Sequence, residues 1–135
     1  MTVRVGNVQM SKSEFLHQWG IEVKNIRWSW TGQDRNGDLV LLVWKDKIVR
    51  DPEGGWWVEV LNTDSATRLG GKERQRMLEA KGESQGVRLV VQDRPNDPVR
   101  RPSTTTAIDP TLYTGRQQQK DADGTWWVEI MDYQP

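Results

Sequence analysis

The sequence has no cysteine, one histidine and one phenylalanine among its 135 residues. Without cysteine the chain forms neither a disulfide nor a thiolate metal site, so we expect a protein of the reducing cytoplasm. The histidine, His17, has no cysteine or second histidine with which to bind zinc, and no evident partner for acid–base catalysis. No apolar run approaches the roughly 20 residues that cross a bilayer. We therefore expect no metal, no cofactor and no membrane association.

An excess of charge of one sign is also missing. The 19 basic residues balance 19 acidic ones, and the isoelectric point lies near 6.6. Domains that bind phosphates without specificity are commonly strongly basic, so this balance argues against that class. The charge is unevenly spread, however. Nine basic and five acidic residues lie between Arg68 and Pro102, which leaves a local basic face open as a prediction.

Tryptophan, by contrast, is abundant, with eight residues in a chain whose length fits one domain over residues 1–135. A domain of this length buries roughly 68% of its unfolded surface, and each large aromatic residue can bury about 150–250 Å². We expect Trp19, Trp56 and Trp126 to serve this core. Eight are more than one small core readily holds, which leaves other tryptophans for a surface or a pocket.

The stretch from Ile26 to Asp46 predicts a β-hairpin. Asn36-Gly37 favours a tight turn between two apolar segments, because both residues tolerate positive φ. Leu39 to Trp44 has no polar alternation, so we expect a central strand with both faces covered. Three tryptophans lie on this hairpin: Trp28, Trp30 and Trp44.

Two helices are predicted. Ser11 and Glu14 form the pattern of a capping box at the start of a helix from Lys12 to Trp19. A second, charged helix from Lys72 to Lys81 is expected on the surface with one thin buried stripe. A glycine follows each segment and suits the left-handed stop of a helix.

Strands and loops make up the rest of the chain. Runs of strands with few helices favour an α+β fold, and we predict a bent, mostly antiparallel sheet or a partly open β-barrel with two helices at its edges. Loops are expected at 47–55 and 94–110. The second contains four prolines, and loops of this length are often functional. Beside the hairpin, the predicted strands cover residues 3–8, 21–23, 56–61, 87–91, 112–116 and 126–131.

One segment occurs twice in similar form. Residues 51–60 and 121–130 each place an acidic, glycine-containing turn before Trp-Trp-Val-Glu. Two copies are too few for a repeat architecture, which needs about three or more. We interpret them as two strands with the same role, each with one tryptophan turned inward and one at the rim.

Catalytic motifs are scarce. Gly70-Gly71-Lys72-Glu73 lacks the serine or threonine with which a phosphate-binding loop holds Mg²⁺. The triplets Glu22-Val23-Lys24 and Glu79-Ala80-Lys81 resemble part of a metal-dependent nuclease site. The first has no well-placed upstream aspartate, and the second falls on a helix. Solvated surface charge explains both, so an enzyme is the least favoured class.

The remaining candidate site is an aromatic cluster with cations nearby. A pocket of indole rings with polar groups at its mouth suits a flat ligand such as a nucleobase turned out of a duplex. Such stacking contributes roughly 1–3 kcal/mol per base. Core packing explains the tryptophans equally well, and a solvated loop explains the arginines at 100–101 equally well. The predicted site residues are Trp28, Trp30 and Trp44 as platform, Arg27 and Lys45 as rim, and Arg100 and Arg101 as phosphate contacts.

Several motifs are spread over most of the chain: Glu14-Phe15-Leu16, Trp19-Gly20, Asn25-Ile26-Arg27-Trp28-Ser29-Trp30, Leu42-Val43-Trp44-Lys45-Asp46, Gly70-Gly71-Lys72-Glu73-Arg74 and Arg101-Pro102-Ser103. Together they resemble a bacterial domain of uncertain function, found alone or N-terminal to HNH-type, modification-dependent restriction endonucleases. The resemblance implies recognition of DNA, with a modified base as target. The chain has no HNH residues of its own, so cleavage is not implied.

These observations predict a non-catalytic recognition module for nucleic acid, with modified-base DNA as the favoured partner. The alternative is a module for protein partners or a small ligand with no nucleic-acid role, because exposed tryptophan-rich strands also suit partner surfaces. Salt separates the two hypotheses, since phosphate contacts make the affinity fall steeply as salt rises.

Overall fold

The computed structural model describes residues 2–25, 29–82, 85–97, 104–120 and 124–135. The helices of this part of the chain are α1 (Lys12–Gln18) and α2 (Leu69–Lys81), with short 3-10 helices at Lys45–Lys47 and Ser65–Thr67. The strands are β1 (Thr2–Val5), β2 (Val8–Ser11), β3 (Glu22–Val23), β4 (Thr31–Gln33), β5 (Leu39–Trp44), β6 (Ile48–Arg50), β7 (Trp56–Leu61), β8 (Gly86–Asp93), β9 (Ala107–Lys120) and β10 (Thr125–Ile130).

All of these strands belong to one sheet. Eight follow the order β3-β4-β5-β8-β9-β10-β7-β6, and β1 pairs with both β9 and β2. The pairs β5–β8 and β1–β9 are parallel, and the other pairs are antiparallel. The predicted α+β class with a mostly antiparallel sheet and two helices is confirmed. The sheet is open and does not close into a barrel.

The strand β5 is central, as its unbroken apolar sequence predicts. Leu39, Leu41 and Val43 belong to one hydrophobic core, and Val40 and Leu42 belong to another on the opposite side. All five are 4% exposed or less. We call the side of Leu41 the inner face and the side of Val40 the outer face, because successive residues of a strand alternate between the two.

Each face has its own cover. The inner core includes Leu78 of α2 together with strand residues such as Val58, Leu89 and Val128. The outer core packs Phe15 and Leu16 of α1 and the β1–β2 hairpin against β5, β8 and the start of β9. The rest of the outer face, on β6, β7 and β10, carries exposed or half-buried side chains.

Helix α1 begins at Lys12 as predicted and ends at Gln18, one residue before the predicted end. The Glu14 amide donates to Ser11 Oγ at 3.0 Å, and the Ser11 amide donates to Glu14 Oε1 at 3.3 Å, which completes the capping box. Gly20 has φ of 68° and stops the helix. The expectation that Trp19 serves the core is wrong, because this residue caps the helix and is 41% exposed.

Two predicted boundaries in the first half need correction. The single strand expected over 3–8 is a hairpin of β1 and β2, because Gly6 takes φ of 59° and reverses the chain. The loop expected at 47–55 contains the short strand β6, which pairs with β7. The strand β7 has the predicted limits.

The predicted tryptophan hairpin is present with a shorter first strand. β4 pairs with β5 from Thr31 opposite Leu41, and Gly37 has φ of 78° in the connecting turn. Ser29 and Trp30 precede the strand, and residues 26–28 lie outside the described part of the chain. Ser29 is linked to Asn25 across that gap, since its amide donates to Asn25 O at 2.8 Å.

The two Trp-Trp-Val-Glu segments form the neighbouring strands β7 and β10. They pair antiparallel with Val58 opposite Val128, and both valines are fully buried on the inner face. Trp126 is 4% exposed, and Trp56 is half-buried against the same core. Trp57 and Trp127 are half-buried. The prediction of one inward tryptophan and one rim tryptophan per strand is confirmed.

Candidate functional site

A bulge between β8 and β9 shapes one end of the sheet. The register pairs Val90 with Leu112 but Gln92 with Ile108, so the three residues 109–111 lie opposite Val91 alone. The sequence predicted a loop through Pro110, yet β9 begins at Ala107. Proline fits within the strand because a bulge needs no ladder hydrogen bond from its nitrogen.

A cavity of about 400 Å³ lies at this bulge. Two cations, Arg4 and Lys45, line it with exposed side chains, and two carboxylates, Asp93 and Asp109, line it half-buried. The register explains part of this set, because Ala107 pairs with Arg4 on one side and with Asp93 on the other. The other lining residues are Gly6, Asn7, Val91, Ala107, Ile108 and Pro110.

Two hydrogen bonds fix the carboxylate of Asp109. The Tyr113 hydroxyl donates to its Oδ2 at 2.6 Å, and the Thr111 amide donates to its Oδ1 at 2.9 Å. Burial, helped by the hydrogen bond and the charge of Asp109, raises the pKa of Tyr113 to about 12. The phenol therefore stays protonated at neutral pH and holds the carboxylate in place.

Lys45 is the predicted site residue that lines the cavity. It follows Trp44, the last residue of β5, which pairs with Gln92 in the parallel register of β5 and β8. The ladder ends there, and Lys45 begins the 3-10 helix Lys45–Lys47. Lys45 and Asp93, which follow the paired ends of β5 and β8, both line the cavity.

Trp44 itself packs against the ion pair between Arg94 and Asp46. The Arg94 guanidinium lies 4.7 Å from the centre of its ring and donates from Nε and Nη2 to Asp46 Oδ2 and Oδ1 at 2.6 and 2.8 Å. The Arg94 side chain is only 7% exposed. One face of the Trp44 indole is thus occupied by a buried cation rather than open to a base.

Trp30 also lies against a guanidinium, that of Arg74, at 5.8 Å from its ring centre. Arg74 is 4% exposed and donates to Thr31 Oγ1, Val60 O and Leu42 O at 3.0, 2.8 and 2.7 Å, and also to Trp30 O. The guanidinium therefore joins β7 to the hairpin of β4 and β5. These strands stand far apart in the strand order, so the contact fastens the bend of the sheet.

The buried face of α2 is the main feature that sequence reasoning missed. Burial lowers the pKa of Arg74 to about 9 while the charge of Glu73 raises it, so the guanidinium is still protonated at neutral pH. Glu73 is 6% exposed, and its Oε1 has no hydrogen-bond partner among the described residues. The expected surface helix with one thin buried stripe is present, but the stripe is largely polar, because Glu73 and Arg74 are buried beside Leu78. Gly71 contributes to the burial, since a Cβ there would lie 1.6 Å from Ser65 O.

The predicted site residues are distributed as follows. Trp44 and Lys45 meet at one strand end, and Trp30 is nearby because the Leu42 amide donates to Trp30 O at 2.9 Å. Arg27, Trp28, Arg100 and Arg101 lie outside the described residues, so their roles stay predictions. Asp93, before the segment 98–103, and Thr106, after it, are hydrogen-bonded to each other. The Thr106 amide donates to Asp93 O at 2.9 Å, next to the cavity.

Arg4, Asp93 and Asp109 join the candidate site only through the structure. They come from three different strands, and none stands in a motif. The one local signal is Asp109-Pro110, because proline inside a strand pattern points to a bulge or an edge.

The site offers donors and acceptors side by side rather than catalytic machinery. Among the described residues no group of three or more histidines and carboxylates is placed to hold a metal ion. No helix of that part of the chain is long and apolar enough to span a membrane. The arrangement suits reversible binding of a polar ligand through complementary charges and hydrogen bonds.

Comparisons of the chain with protein-family models, with curated proteins and with solved structures found no match. The resemblance to a restriction-associated domain therefore stays a prediction.

Proposed function

We propose that this protein is a non-catalytic module that recognises nucleic acid, with a single nucleobase held in the strand-end cavity. The observation that carries the proposal is the lining of that cavity, where Arg4 and Lys45 are exposed and Asp93 and Asp109 are half-buried. Its volume of about 400 Å³ falls within the range of small-ligand sites.

The two kinds of charge have different tasks in this proposal. Lys45 and Arg4 contact the phosphates on either side of the base, which positions the strand without reading it. Asp109 accepts a hydrogen bond from an exocyclic amino group, as carboxylates do with cytosine. Because Tyr113 and Thr111 fix this carboxylate, its direction is set before the ligand arrives.

Trp30 and Trp44 support the cavity in this proposal and do not stack on the base themselves. Arg94 occupies one face of Trp44 and Arg74 approaches Trp30, so these rings stiffen the strand end next to the cavity. Arg27, Trp28, Arg100 and Arg101 keep their predicted roles as further contacts to the strand.

The test is a titration of fluorescently labelled single-stranded and duplex oligonucleotides, with and without methylated cytosine, at low and rising salt. We expect binding that weakens with salt. Lys45→Gln is expected to weaken binding to all sequences and to reduce the salt slope by about 1. Lys72→Gln, an exposed lysine of α2, is the matched control and should leave both quantities unchanged.

A second variant examines base recognition. Asp109→Asn exchanges one of the two acceptor oxygens for an NH2 donor and is expected to change the preference among bases more than the overall affinity. Absence of binding to every oligonucleotide at micromolar protein and low salt would contradict the proposal.

The second candidate is a small zwitterionic ligand with no nucleic acid involved. The observation that favours it is the equal number of cations and carboxylates around the cavity. Such a ligand would bind with little dependence on salt, whereas phosphate contacts give a steep dependence.

A further inference from the structure

The outer face of β7 and β10 carries an ordered group of four side chains. Trp57 lies directly opposite Glu129, and Trp127 lies directly opposite Glu59. Directly opposed residues on antiparallel strands have Cβ atoms about 4.5–5.5 Å apart, so each indole has a carboxylate next to it. We call these four residues the Trp–Glu surface.

The surface is partly exposed to solvent. All four side chains are half-buried, and their neighbours Val49 on β6 and Arg116 on β9 are exposed. Gly55 shows how close one pair is, since a Cβ on it would lie 3.1 Å from Glu129 Oε2 and 3.7 Å from Trp57 Nε1. The carboxylate and the indole N–H therefore share one side of this glycine.

Indole rings beside carboxylates form a suitable environment for a guanidinium group. Arginine stacks on the face of tryptophan and donates two parallel hydrogen bonds to a carboxylate. Lysine offers a compact charge without the planar fork, so it satisfies only part of this arrangement. The same chemistry occurs inside this protein, where Arg94 contacts both Trp44 and Asp46.

The spacing of the two Trp–Glu pairs matches a partner peptide in an extended conformation. The pairs are two residues apart along each strand, about 6.6–6.8 Å at the usual rise per residue. In an extended peptide the side chains of residues i and i+2 point the same way and have the same separation.

We propose that the Trp–Glu surface is a docking site for an extended peptide segment that carries two arginines separated by one residue. The carboxylates of Glu59 and Glu129 provide the complementary charge, and the indoles of Trp57 and Trp127 provide the stacking surface. Glu59 Oε1 also accepts a hydrogen bond from Asn62 Nδ2, which orients that carboxylate. This proposal is independent of the cavity, which lies at the far end of β8 and β9.

The test uses a labelled peptide with an Arg-Ser-Arg core between glycine–serine flanks, and fluorescence anisotropy with the 135-residue protein. Peptides with Lys-Ser-Lys and with two adjacent arginines are the sequence controls. We expect Arg-Ser-Arg to bind more tightly than both, because the first control loses the fork and the second turns one arginine away from the surface.

Variants assign the binding to these four residues. The double variant Glu59→Gln with Glu129→Gln keeps side-chain size and is expected to weaken binding by about tenfold or more, and Trp57→Leu by a similar factor. The matched controls are Glu79→Gln and Trp19→Leu, which alter an exposed carboxylate and an exposed indole elsewhere, and Lys45→Gln at the cavity. All three should bind as the unaltered protein does.

Arg116 supplies a test in the opposite direction. It stands opposite Glu129 on β9 and competes with an incoming arginine for that carboxylate. Arg116→Gln is therefore expected to strengthen binding by several-fold. Circular dichroism confirms that each variant is folded. Equal binding of the three peptides, or equal binding by the glutamine double variant and the unaltered protein, would overturn the proposal.

Discussion

The outer face of the sheet has two halves that differ in composition and in cover. The half on β5, β8 and the start of β9 is aliphatic and lies under α1 and the β1–β2 hairpin. The half on β6, β7 and β10 alternates tryptophan with glutamate and has no such cover among the described residues. Val40 in the first half is fully buried, whereas Val49 in the second is 47% exposed.

The difference shows why one half needs a cover and the other does not. Aliphatic side chains gain stability only when water is removed from them, at about 25 cal/mol per Å². Indole rings combine an apolar body with a polar N–H, and carboxylates stay hydrated, so a mixed face of both is stable next to water. Such a face is also what a partner can use, because recognition surfaces are enriched in tryptophan.

The largest effect is expected in the covered half. Phe15 is 2% exposed between α1 and the sheet, so Phe15→Ala should lower the free energy of unfolding by about 3–5 kcal/mol. Denaturant unfolding measures this change. Trp19→Ala, at the exposed end of the same helix, is the matched control and should lower it by much less. Similar losses for the two variants would mean that α1 does not seal the aliphatic half.

The second prediction concerns the inner face, where the buried guanidinium of Arg74 links separate strands. Arg74→Lys keeps a positive charge but cannot reach the carbonyls of Trp30, Leu42 and Val60 with one ammonium group. Buried acceptors left without donors should lower the free energy of unfolding by about 3 kcal/mol.

Arg76→Lys, on the exposed side of α2, should stay within about 0.5 kcal/mol of the unaltered protein. If Arg74→Lys is equally mild, the guanidinium does not fasten the bend of the sheet.

A third prediction concerns pH and the tyrosine behind the cavity. Because burial raises the pKa of Tyr113 to about 12 from an ordinary value of 10, the folded state disfavours the phenolate. This contribution to stability is fully present below pH 10 and is lost as the pH rises towards 12, by about 2 kcal/mol.

Ultraviolet titration of Tyr133→Phe, which leaves Tyr113 as the sole tyrosine, measures its ionisation directly. A midpoint near 10 in the folded protein would contradict the hydrogen-bonded, buried phenol.

The smallest effect on stability is expected in the open half. Trp57→Leu should change the free energy of unfolding by less than about 1 kcal/mol, because the ring is only half-buried on the outer face. Val58→Ala, one residue away on the fully buried inner face, is the control and should lower it by more. A large loss for Trp57→Leu would mean that the open half is held together by its indoles, like a core.

Local sequence patterns predicted a good part of the fold. The capping box of α1, the limits of β7 and the buried character of β5 all depend on residues within a few positions of each other, so a local reading finds them. The strands of the Trp-Trp-Val-Glu segments were likewise predictable, although their pairing with each other was not. Their register, which creates the Trp–Glu surface, depends on contacts far apart in the chain.

The candidate site was predictable only in part. Lys45 was named because it follows a tryptophan at the end of an apolar strand. Arg4 and Asp93 flank Ala107 only after β1 and β8 have paired with β9. Arg74 was not predicted to be buried, because nothing near it in the chain shows the three backbone carbonyls that it meets.

By itself the sequence determined where most strands and both helices form, because capping, turn chemistry and apolar alternation act over a few residues. Only the tertiary structure decided which polar groups are buried and which aromatic groups stay near water. The physical reason is that a buried charge such as Arg74 is stable only where acceptors from distant segments converge on it. That convergence, like the bulge that shapes the cavity, depends on how the strands are paired.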